Sequence, residues 1–208
     1  MRRTVALAAL AALVAGTSTL QAQGRRDRDR GLVELEQRGT RGGFYITGGL
    51  GAGGEQFKFD DENEWSDKLT KPTLTLRLGG TPDQYVRVGA ELFGWGAETD
   101  EGDETFAAIL GVVQFYPMKD GGLWLKAGGG YGESRIDNFD PDFLDVTESG
   151  FAWSVGAGYE IQLSRSIAIG PAVELYQASF ERRDEPTLSE RVLNIGGQIT
   201  FQTGGRRR

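Results

Sequence analysis

Six ionisable residues carry the chemistry this sequence is best equipped to do. Arg77, Arg87 and Lys126 are cations, and Glu91, Glu160 and Glu174 are anions. Each lies on the small or polar phase of a segment whose other phase is apolar, as in "TLTLRLGG" and "SVGAGYEIQL". Opposite charges gathered on one enclosed face can neutralise one another, whereas a lone buried charge is very costly. The expected chemistry is therefore structural: a network of paired charges that fills the lumen of a closed sheet. A conducting path along the same residues is the competing reading. Eight strands enclose a space that side chains just fill, which argues against a wide channel.

Other residue sets point to weaker chemistry. Asp137, Asp140, Asp142 and Asp145 in "DNFDPDFLD" could hold a hard cation such as Ca²⁺. So could Asp60, Asp61, Glu62 and Glu64 in "DDENE". Neither set has the EF-hand spacing with its sixth-position Gly, and a solvated acidic loop is the simpler reading. Gly49, Gly51 and Gly54 match a dinucleotide fingerprint in form only. No helix pattern follows them, as that motif requires. The chain has no His and no Cys. A Ser/His dyad cannot be built, and Ser134 and Ser154 have no evident base. No enzyme activity and no cofactor are expected. The net charge of −7 also makes nucleic acid a poor partner.

These residues need a scaffold with period two. Apolar residues alternate at Phe44, Ile46, Leu50 and Ala52, at Leu74, Leu76 and Leu78, and at Val86, Val88, Ala90 and Leu92. They alternate again at Leu123, Leu125, Ala127 and Tyr131, and at Phe151, Trp153, Val155, Ala157, Tyr159 and Ile161. The last runs are Ile167, Ile169, Pro171, Val173, Leu175 and Leu193, Ile195, Ile199, Phe201. Residues 105 to 116, "TFAAILGVVQFY", are apolar on both phases, and their faces stay unassigned. Eight strands of about ten residues each suit a tilted crossing of a membrane. The fold class is all-β: an eight-stranded antiparallel up-and-down transmembrane β-barrel.

The connections alternate in length. "GTPDQ", "PMKDGG" and "LSRS" are short, while 54–71, 97–104, 133–149 and 181–190 read as long loops. Short turns at one end and long loops at the other mark an outer-membrane barrel. The four long loops hold 21 of the 30 acidic residues, so the outer rim should be acidic. Phe44, Tyr45, Tyr85, Phe115, Tyr116, Trp124, Phe151, Trp153 and Phe201 stand near strand ends, where two interfacial girdles would need aromatics.

The start, "MRRTVALAALAALVAGTSTLQAQG", has two arginines, a short apolar core and a cleavage site after Ala22. Residues 1–22 are expected to be a signal peptide and 23–42 a flexible charged leader. Residues 43–201 are the barrel and 202–208 a basic tail.

"QFYPMKDGGLWLKAGGGYG" and "GFAWSVGAGYEIQLSRSIAIGPAVELY" resemble the small outer-membrane β-barrel family, the OmpA-transmembrane, OmpW and opacity-like group. The resemblance implies residence in the outer membrane of a double-membraned bacterium. It implies partners in outer-membrane lipid, lipopolysaccharide and the barrel-insertion machinery, with a single chain as the expected unit. The expected role is structural or surface-interacting, with acidic outer loops and a charged, plugged lumen. A narrow pore or carrier for small hydrophobic compounds is the second reading. The third is a soluble periplasmic lipocalin-like barrel with its apolar face inward.

Overall fold

The computed structural model describes residues 41–60, 64–98, 102–138, 146–181 and 186–203. The signal peptide, most of the leader, and Asp140, Asp142 and Asp145 lie outside the described residues. So do the side chain of Asp137, and both Asp61 and Glu62.

Among the described residues nine strands follow one another: β1 (Gly43–Phe59), β2 (Leu69–Asp83), β3 (Val86–Glu98), β4 (Gly102–Phe115), β5 (Leu123–Asn138), β6 (Val146–Tyr159), β7 (Ile161–Gln162), β8 (Ile167–Phe180) and β9 (Leu188–Gln202). The two-residue β7 continues β6 past Glu160 and pairs with the same neighbour, so the two form one stave. Every pairing is antiparallel between chain neighbours, and β1 also pairs with β9. The sheet thus closes on itself as an eight-stave up-and-down barrel without a free edge.

Period-two alternation explains which residues line the inside. On β1 Tyr45, Thr47 and Glu55 are buried, while Phe44, Ile46 and Leu50 face out. The outward apolar run is Phe44–Ala52 on β1, and Gln56 and Lys58 take over beyond it. On β9 the run is Leu193–Phe201, ending before Arg191. Nine residues rise about 30 Å, and a tilt of about 40° brings the belt to about 23 Å, close to the height of an outer-membrane apolar band. The barrel is therefore greasy outside and keeps its buried charges inside, the opposite of a lipocalin. Leu76, Val88, Val155 and Ile195 look outward, while Arg77, Arg87 and Glu160 are buried.

Two expectations need correction. Residues 54–71 and 133–149 are not simply loops. β1 runs on to Phe59, β2 begins at Leu69, β5 reaches Asn138 and β6 starts at Val146. The apolar belt ends where polarity begins, but hairpin hydrogen bonds carry the sheet past it. Three proposed girdle aromatics, Tyr45, Tyr116 and Trp124, are buried in the lumen. They sit near strand ends but on the inward phase.

Residues 105–116 receive their faces from the register. Phe106, Ala108, Leu110, Val112, Gln114 and Tyr116 point in, and Ala107, Ile109, Val113 and Phe115 point out.

Candidate functional site

The six charged residues lie in two layers of the lumen. Arg77 on β2 stands opposite Glu91 on β3 in the strand register. Its Nε donates to Glu91 Oε2 at 2.5 Å, and its Nη2 donates to Glu174 Oε1 at 2.7 Å. Lys126 Nζ reaches both Glu91 oxygens, at 2.7 and 2.8 Å, and Glu174 Oε1 at 2.7 Å. Tyr176 donates to Glu174 Oε2 at 3.1 Å and accepts from Lys126 at 3.0 Å. Two cations and two anions form a neutral quartet that is almost wholly buried. Charge-assisted bonds of this kind offset the cost of dehydrating four ions.

Glycines make room for the quartet. A Cβ on Gly156 would stand 2.8 Å from Glu174 Cγ, and one on Gly158 would collide with the Trp124 ring.

Closer to the short turns lies the second layer. Arg87 donates to Glu160 Oε1 at 2.7 Å, to Tyr116 Oη at 2.6 Å and to Gln202 Oε1 at 2.8 Å. Its guanidinium also lies 4.9 Å from the Tyr45 ring centre and 5.1 Å from that of Tyr116. Thr200 donates to the same Glu160 oxygen at 3.2 Å. Arg41 closes this end. It stacks on Tyr116 at 3.8 Å and donates to the backbone carbonyls of Lys119, at 2.9 Å, and of Gly121.

Toward the long hairpins the lumen turns apolar. Phe93 stacks on Tyr176 with centroids 3.7 Å apart, and meets Phe106 edge-on at 6.0 Å. Trp95, Leu110, Phe180 and Val192 complete this layer, and Trp95 Nε1 donates to Gly53 O at 3.0 Å. The strand that sequence reasoning left unassigned supplies much of it. Its inward phase could not be told from its outward phase because both are apolar.

Above the apolar layer the mouth opens into a cavity of about 210 Å³, lined by Glu55, Glu104, Glu190, Ser134, Thr105, Trp95, Phe57, Phe59 and Leu188. Glu55 and Glu190 are nearly buried, at 6% and 5% exposure. Both lie beyond the outer end of the apolar belt. Burial pushes the Glu55 carboxyl up to about 7, helped by the negative charge of Glu104. Burial pushes Glu190 up to about 8, against a hydrogen bond from Ser134 and with repulsion from Glu55, Glu104 and Glu148. Among the described residues, no three carboxylates converge closely enough to hold a metal ion. Sequence reasoning counted these acids as loop charges. The signal that could have found them is phase: Glu55, Glu104 and Glu190 all continue the inward alternation of their strands.

Comparison with known proteins agrees with this architecture. The outer membrane protein beta-barrel domain model matches residues 6–201. No curated protein matches the chain. Among solved structures, Neisserial surface protein A is 9% identical with a TM-score of 0.52, covering 75% of this chain and 96% of that one. The attachment invasion locus protein Ail of Yersinia pestis, in complex with the heparin analogue sucrose octasulfate, is 16% identical with a TM-score of 0.47 and covers 76% and 99%. OprG from Pseudomonas aeruginosa is 16% identical with a TM-score of 0.42 and covers 79% and 98%. At 9% identity the likeness to Neisserial surface protein A concerns the fold alone.

Proposed function

The chain belongs to the outer membrane protein beta-barrel domain family, and from that premise we propose a non-catalytic, non-conducting barrel of the bacterial outer membrane that works through its outward rim. The observation that carries this reading is the filled lumen. Arg41 and Tyr116 close the short-turn end, the Arg77 quartet spans the middle, and the Phe93–Tyr176 stack fills the next layer. A void of about 10 Å³ beside Glu174 and Asn194 has room for about one water. A barrel so filled contributes a rigid, lipid-embedded body, and what differs from the surrounding membrane is the acidic mouth it holds up. Lipid and lipopolysaccharide around the belt, the insertion machinery, and a single-chain working unit belong to the same reading.

The competing reading is a carrier for small hydrophobic compounds. The apolar layer around Phe93, Phe106 and Phe180 favours it. A carrier would also need an opening through the wall, and the seam of β6 against β8 still pairs from Phe151 to Gly158.

Planar-bilayer recording on the refolded protein separates the readings. The expected trace has no discrete conductance steps above the bilayer leak. Stable single-channel steps in most insertions would overturn the sealed-lumen reading.

A further inference from the structure

The mouth cavity has a chemistry that the sealed lumen does not use. Three carboxylates from three strands, Glu55 on β1, Glu104 on β4 and Glu190 on β9, line one space. Ser134 donates to Glu190. Glu55 is different: it is 6% exposed, lines the cavity, and has no hydrogen-bond or ion-pair partner among the described residues. An unpaired carboxylate at that depth is costly unless it takes up a proton or something positive meets it. Aromatic rings line the same space: Trp95 from β3, and Phe57 and Phe59, which follow Glu55 on the inward phase of β1 and sit edge to face at 6.2 Å. Carboxylates and aromatic rings lining one cavity suit a cation with an organic body, because rings attract cations and accept apolar stems. A bare hard cation has no apolar stem for the rings to accept and would want several converging oxygens.

We propose that this cavity binds a small organic cation, a primary ammonium or guanidinium on an apolar stem, with the charged head at Glu55 and the stem against Trp95. The head takes the position at which Glu55 lacks a partner, and Glu104 and Glu190 supply the surrounding negative field. The cavity is large enough for an alkyl ammonium or the end of a Lys or Arg side chain. The inference deepens the surface-contact reading and rests on it only for the side the mouth faces. Binding tests the pocket and conductance tests the lumen, so each can fail alone.

The experiment is calorimetric titration of the full refolded chain in a non-ionic detergent at pH 8.5. The probes are n-pentylammonium and the blocked peptide acetyl-Gly-Lys-Gly-amide, with pentanol and Ca²⁺ at matched ionic strength as controls. Saturable binding of the ammonium probe is expected, weakened at least about tenfold by Glu55→Gln, the scale of losing one charge-assisted bond. A tighter peptide than free amine assigns the source to a protein side chain, and the reverse assigns it to free amines. Native barrel migration on an unheated gel shows that each variant is folded. Glu104→Gln, less buried, is the second variant and should weaken binding by a smaller factor. No saturation, equal binding of pentanol, displacement by Ca²⁺, or affinity untouched by both variants would overturn the proposal.

Discussion

Arg77 and Glu91 face each other across β2 and β3, and the guanidinium Nε lies 2.5 Å from Glu91 Oε2. The pair forms within one hairpin, since the two residues are 14 apart in sequence. Glu174 and Lys126 then join it from β8 and β5. The quartet thus reports closure: it is complete only when staves from both halves of the chain have met.

Removing one member should cost far more than removing a neutral pair. Glu91→Ala leaves Arg77 with Glu174 alone and gives the lumen one uncompensated positive charge. The expected loss is roughly 3–5 kcal/mol, the scale for breaking a buried ion pair. Arg77→Met with Glu91→Leu keeps Lys126 and Glu174 as a neutral pair and should cost much less. Urea unfolding in micelles, followed by tryptophan emission, checks both. Equal losses would mean that the quartet's charge balance does not matter.

Two glycines of the same strand type should behave oppositely. Gly156 faces the lumen, where a Cβ would stand 2.8 Å from Glu174 Cγ and 3.1 Å from the Val173 carbonyl. Glu174 cannot retreat without loosening Arg77 and Lys126. Gly156→Ala should therefore destabilise by roughly 1–3 kcal/mol, as overpacking does. Gly48 faces the belt and would meet nothing within 4 Å. Gly48→Ala should be neutral or slightly stabilising, because it removes freedom from the unfolded chain. A common unfolding midpoint for both variants would contradict the assignment of faces.

How much of this was legible in the sequence depends on contrast between phases. "GFAWSVGAGYEIQL" has it, and Val155 and Tyr159 point outward while Ser154 and Glu160 are buried. "TFAAILGVVQFY" lacks it, so only the register with β3 and β5 assigns its faces. Tyr45 and Tyr116 were misread for a related reason: an aromatic at a strand end suits an interface, but its phase decides. The mouth was invisible because Glu55, Glu104 and Glu190 belong to separate hairpins and meet only through closure. The end of the apolar belt also looked like the end of the strands, since side-chain polarity is visible in a sequence and backbone pairing is not.

The outward orientation makes a prediction about charge and depth. Val155 lies near the middle of the belt, exposed and opposite Ala127. Val155→Arg should destabilise the barrel by roughly 2–4 kcal/mol in liposomes, the cost of a lipid-facing Arg at the midplane. The same substitution at Gln56, beyond the belt, should cost about 1 kcal/mol or less. The comparison is an unfolding titration in liposomes. A Val155→Arg variant as stable as Gln56→Arg would mean that this face does not meet hydrocarbon.

The mouth predicts the direction of a pH effect. Glu55 is raised to about 7 and Glu190 to about 8, both from an ordinary 4.5. The folded barrel therefore holds more protons than the unfolded chain between about pH 4.5 and 8, and linkage makes stability fall as pH rises through that window. Other charged groups on the inward phase at this level are Glu104 on β4, Glu148 on β6 and Lys71 on β2. Glu104 adds to the repulsion on both carboxyls and Glu148 to that on Glu190. After allowing for solvent screening at an open mouth, the expected loss from pH 5.5 to 8.5 is about 1–2 kcal/mol. The double variant Glu55→Gln, Glu190→Gln should flatten this dependence and be the more stable protein at pH 8.5. Cation binding must run the other way, strengthening as the two carboxyls ionise, so the pentylammonium affinity should rise over the same interval. Unfolding midpoints measured at the two pH values, with and without the probe, check both slopes. An unchanged pH dependence in the double variant would move the effect to other carboxylates.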